Sequence, residues 1–111
     1  MASIVPDRII KEFIDACKGD INETASYVSC NLGNIEVRIN KFTGKVRAIY
    51  NDKVSKGEII SQKIPRKVLS SVDNELIIMF ANDNARLSVS DKDIKYYEDM
   101  LSFEHIIEER D

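Results

Sequence analysis

The chain is poor in the residues that most often carry chemistry. Among its 111 residues histidine occurs once, cysteine twice and glycine four times. The lone histidine, His105, has no serine or cysteine nucleophile that the sequence pairs with it. The glycines form neither GxGxxG nor GxxxxGK[ST], so no phosphate-cradling loop is present. Cys17 and Cys30 are too few for a disulfide framework, and without neighbouring histidines they make no zinc pattern. Both fall on apolar helix faces in this reading and are expected as buried, inert thiols. The longest apolar run covers residues 76–81, far short of the roughly 20 residues that span a bilayer. The first residues lack the basic start and apolar stretch of a signal peptide. No enzyme, metal, cofactor or membrane span is expected, and the setting is expected to be a reducing cytoplasm. Adjacent acids such as Glu98/Asp99 and Glu108/Glu109 diverge on a helix and are read as solvated.

What is present is an ordinary globular balance, 43% hydrophobic and 32% charged, in a length that suits one domain over 1–111. The charge is unevenly spread. Residues 34–67 hold nine Lys/Arg against three acids, a net of +6; residues 68–111 carry −7 and residues 1–33 carry −2. A basic middle suits a phosphate-facing surface or simply a solvated face.

Along the chain, Pro6 opens a helix whose stripe is Ile9, Ile10, Phe13, Ile14 and Cys17, ended by Gly19. Asp20 to Glu23 reads as a capping box for a second helix reaching Cys30. Residues 34–42 fit two patterns: Ile35, Val37 and Ile39 alternate as in a strand, while Ile35, Ile39 and Phe42 share one helix face. Residues 45–51 and 58–64 read as one β-hairpin, and 75–81 with 85–90 as another around Asn82-Asp83-Asn84. Ser90 or Asp91 caps a last amphipathic helix to about Glu109, with Tyr96, Met100, Phe103 and Ile107 in a stripe. The expected fold class is α+β: N-terminal helices (1–44), a sheet of two hairpins (45–90) and a C-terminal helix (91–111).

Residues 7–44 resemble the helix-turn-helix DNA-binding segment of Fis and the NtrC-type activators. The likeness lies in Gly19-Asp20, the small Ala25, Val28 and Cys30 about a turn at Ser29, the anchors Ile35 and Ile39, and the closing Asn40-Lys41-Phe42 before Gly44. Ser29 stands where the family usually has Gly, and Gly33 where it has a polar residue. A second resemblance covers residues 34–50, which are similar to the β-hairpin of the RNA-polymerase-binding N-terminal domain of the elongation factor NusA. There Ile35–Ile39 and Val46–Tyr50 would be paired strands.

The first resemblance implies a small DNA-binding transcription regulator, phage-encoded on this reading, with double-stranded DNA as partner. Asn31, Asn34, Val37, Asn40 and Lys41 would face the major groove, and Arg38, Lys45, Arg47, Lys53 and Lys56 the phosphates. Phe103, Ile106 and Ile107 would be left over for a homodimer interface. The second implies a non-enzymatic adaptor or inhibitor docking on RNA polymerase. A phage DNA-packaging subunit using the same helix-turn-helix is a third reading.

Overall fold

A computed structural model describes residues 4–51, 56–80, 85–91 and 93–97, with only the backbone of Tyr96 and Tyr97. Among these residues are one helix, α1 (Asp7–Ala16), and nine strands. Strands β1 (Asp20–Glu23), β2 (Tyr27–Leu32), β3 (Ile35–Asn40), β4 (Val46–Asn51) and β5 (Lys56–Ser61) form one antiparallel sheet in chain order. Strands β6 (Pro65–Ser70), β7 (Leu76–Phe80), β8 (Arg86–Val89) and β9 (Ile94–Tyr97) form a second. We call them sheets A and B.

Helix α1 starts where Pro6 predicts. Pro6 lends its carbonyl to the N–H groups of Ile9 and Ile10, and Ile9, Ile10, Phe13 and Ala16 are buried. This stripe, the inward row of sheet A (Val28, Cys30, Leu32, Ile35, Val37, Ile39, Val46, Ala48) and the inward row of sheet B (Val68, Leu76, Ile78, Phe80, Leu87, Val89) belong to one core. The helix also closes an edge. Val68 on β6 donates its N–H to Glu12 Oε1 at 2.9 Å, while Glu12 Oε2 pairs with Arg8. An edge N–H that would otherwise invite another strand is thereby occupied.

The helix-turn-helix is overturned. The expected second helix is β1 and β2, and the ambiguous residues 34–42 are β3 and its turn. A helix over 34–42 would bury Ile35, Ile39 and Phe42 and leave Val37 outside. The strand buries all three β-branched residues, with Val37 and Ile39 wholly inaccessible. Packing of the pleated row therefore outweighs the helical alternative. The capping-box reading of Asp20 to Glu23 fails for a related reason. Thr24 makes the turn instead, its Oγ1 accepting from the N–H groups of Ser26 and Tyr27, and Asp20–Glu23 pair with Asn31–Val28.

Turn chemistry fixes the register. Gly33 at φ 62° is the first of two residues joining Leu32 to its partner Ile35, the type II′ position that glycine fills without steric cost. At the next turn Asn40 Oδ1 accepts from Phe42 and Thr43 N–H, and Gly44 takes φ 76°.

The strands expected at 45–51, 58–64, 75–81 and 85–90 have counterparts in β4, β5, β7 and β8, but inside larger sheets. The expected C-terminal helix is contradicted at its start. Ser90 Oγ accepts from Asp93 N–H, making a turn, and Ile94–Tyr97 pair with Val89–Arg86 as β9. The rest of that helix, including Phe103, Ile106 and Ile107, lies outside the described residues, as does the turn at 82–84. The free-thiol expectation is also corrected: Cys17 and Cys30 are joined in a disulfide with Cα atoms 6.0 Å apart. No helix among the described residues is long and apolar enough to cross a membrane.

Gly19 offers a test of this packing. A Cβ there would overlap the backbone carbonyl of Asn31, whereas at Gly57 it would meet only the ring end of Tyr50. Gly19→Ala should lower stability by about 1–3 kcal/mol, the usual cost of overpacking. Gly57→Ala should cost less than half as much, because the ring can turn aside. Denaturant midpoints of the two variants against wild type measure both.

Candidate functional site

Because side chains alternate along a strand, the register of sheet A decides what its outer face presents. One row runs Asn22, the buried Ser29, Arg38, Arg47, Ile60, and the neighbouring row runs Asp20, Asn31, Glu36, Ile49, Glu58. Arg38 and Arg47 are directly opposite across β3 and β4. Like charges so placed repel, and here each is answered by a glutamate. Arg38 pairs with Glu36 at 3.2 Å, and Arg47 pairs with Glu58. The Arg38 guanidinium also lies over the Tyr27 ring, 4.1 Å from its centroid. Arg38 Nε is buried without a hydrogen-bond partner among the described residues. Lys56 completes the basic set on this face. Among the described residues of β1–β5, Asp20, Glu36 and Glu58 stand on this face against Arg38, Arg47 and Lys56.

At the end of the face near Gly33 is an open depression of about 260 Å³ lined by Asn31, Asn34, Asn51, Glu36, Ile49, Ile35 and Gly33. Its three carboxamides each offer a donor and an acceptor. Among the described residues no three His, Cys, Asp or Glu side chains are grouped to hold a metal ion.

The sequence-derived contact residues separate under this geometry. Asn31, Arg38, Arg47 and Lys56 come to the one outer face, with Asn34 at its rim. Val37 is fully buried in the inward row, so it reads no base. Asn40 is spent on its own turn, and Lys41 on Glu23 at 2.7 Å and the Thr24 carbonyl at 2.8 Å. Lys45 is exposed beyond that turn, and Lys53 lies outside the described residues. Residues that the sequence reading missed are Tyr27, Glu36, Asn51, Glu58 and Ile60. Alternation through 35–40 would have revealed Glu36 beside Arg38. Nothing local marks Tyr27, whose role depends on β2 lying against β3.

No family model, curated protein or solved structure matches the chain.

A pair of double-mutant cycles tests how the face is held. Tyr27→Leu with Arg38→Ala should show a coupling of about 0.5–1 kcal/mol, as expected for a cation over an aromatic ring. Arg47→Ala with Glu58→Ala, a more exposed ion pair, should couple by about 0.2–1 kcal/mol. Raising salt to about 0.5 M should erode the second coupling and largely spare the first.

Proposed function

We propose that the chain is a non-enzymatic binding module that presents the outer face of sheet A to a protein partner. The observation that carries this reading is the charge balance of the face. A surface built to hold a phosphate backbone displays uncompensated Lys and Arg, whereas Arg38 and Arg47 are each neutralised by a glutamate beside them. Shape argues the same way. Five strands at about 4.8 Å spacing make a surface roughly 19 Å across, wider than the roughly 12 Å major groove that admits a helix or a two-stranded ribbon.

A protein surface suits this face better. Arg and Tyr are enriched at interface centres, and Arg38 stacked on Tyr27 is a preformed pair of that kind. The carboxamides of Asn31, Asn34 and Asn51 can meet both polar groups of a peptide backbone. Residues 34–50, similar in sequence to the polymerase-docking hairpin of NusA, here form β3 and β4 paired from Ile35–Tyr50 to Ile39–Val46. RNA polymerase is accordingly the first partner to test. Docking there would place the chain in the cytoplasm.

The test is interferometry of the immobilised chain against purified bacterial RNA polymerase core enzyme and, separately, a DNA duplex of about 20 base pairs. We expect saturable polymerase binding that weakens at least ten-fold with Arg47→Glu, a loss of about 1.4 kcal/mol, with an unchanged circular dichroism spectrum. Absence of polymerase binding removes that partner. Duplex binding that falls steeply with salt would overturn the protein-directed reading itself.

A further inference from the structure

We infer that the Cys17–Cys30 disulfide is a redox-controlled clasp on edge strand β1, whose reduction opens the β2 edge of sheet A. The inference does not depend on which partner binds the outer face.

Strand β1 is held by its ladder to β2, by Asn22 through Tyr27 and Ser29, and by few other contacts. All four of its residues are exposed, and none belongs to the core. It lies at the end of the sheet and pairs with β2 alone. The strand sits inside the segment closed by the disulfide, whose cysteines are 13 residues apart. One end of that segment is the last turn of α1, where Cys17 donates its N–H to the Phe13 carbonyl. The other is Cys30, fully buried in β2 between the inward rows. At the far end of β1, Glu23 holds Lys41. Among the described residues Asp20, at the start of the strand, has no such ion pair, and Gly19, which must approach the Asn31 backbone closely, has no side chain to anchor it. Beside the backbone pairing of β1 with β2, the bond is the covalent tie that fixes the chain entering β1 to the buried side of β2.

The bond is also reachable from one side. Cys17 is only partly buried, and its Sγ lies 3.4 Å from the exposed Gly19 N–H. A dithiol reductant can attack Cys17 Sγ as thiolate, forming a mixed disulfide and releasing Cys30 as a thiolate that takes up a proton. The second thiol of the reductant then displaces Cys17, which leaves as a thiol, and the reductant departs as its own disulfide. Cys30 remains in the core as a small apolar side chain, so sheets A and B keep their packing. What changes is the edge: without β1, backbone groups of Tyr27–Leu32 are left unpaired and can accept an added strand.

Native-state hydrogen exchange on the full chain, with and without excess dithiothreitol and without denaturant, tests the clasp. Both thiols should become alkylatable. Protection at residues 20–23 and at the outward amides of β2 should fall by about ten-fold or more, while 35–40 and 46–51 keep theirs, the signature of local opening. The Cys17→Ser/Cys30→Ala variant should show the same exposed edge without reductant and no response to it. Unchanged protection of 20–23 after both thiols have reacted would overturn the inference. So would simultaneous loss of protection in every strand, which marks a structural staple, or two free thiols in protein purified without reductant.

Discussion

The alternation of Ile35, Val37 and Ile39 is the constraint on which the rest of the structure depends. These side chains lie in the middle strand of sheet A, and all three are buried. Full burial of one such residue contributes roughly 1.5–3 kcal/mol, so a one-residue slip that turned the row to water would be strongly disfavoured. With β3 fixed, its partners follow on both sides: Val28, Cys30 and Leu32 from β2, and Val46, Ala48 and Tyr50 from β4. The same alternation sends Glu36 and Arg38 outward. Core and candidate site are thus two faces of one periodicity.

The edges show a division of labour. On sheet B, β6 is covered by α1, with Glu12 accepting the Val68 N–H, and Pro65 and a register shift before Lys67 interrupt the ladder. Proline on an edge strand leaves no donor to recruit another chain. On sheet A the edge strand β1 is short, exposed and closed in by a covalent loop. A closed loop of this length typically adds about 3 kcal/mol by restricting the unfolded chain. Such a bond supports a strand too poor in apolar residues to hold itself. The outer face of sheet A is free to be polar because the core is complete beneath it.

Much of this was legible in the residues, and the failures have physical causes. Helix α1 was visible because its stripe is long and Pro6 marks its start. The pairs β4–β5 and β7–β8 were visible from β-branched runs separated by polar turns. Residues 34–42 satisfied two periodicities at once, and only the neighbouring strands decide between them. Asp20 to Glu23 has the composition of a helix cap, yet the close approach of Gly19 to Asn31, a tertiary contact, makes it a strand. The disulfide was hidden for the same reason: Cys17 and Cys30 meet only once β2 lies beside the end of α1. In the site, Arg38 and Arg47 were found as basic residues; Glu36 follows from local alternation, but Glu58 reaches Arg47 only through the β4–β5 register, which no local pattern reports. The ion pair of Arg47 is thus a consequence of pairing and not of composition.

The most direct test of this account is the backbone conformation of residues 35–40 by nuclear magnetic resonance. The account predicts extended secondary chemical shifts for all six, with cross-strand contacts from Val37 to Cys30 on one side and to Ala48 on the other. Helical shifts through Ile35–Asn40, with contacts between residues three and four apart, would contradict it, dissolving the sheet, its outer face and the function built on that face together.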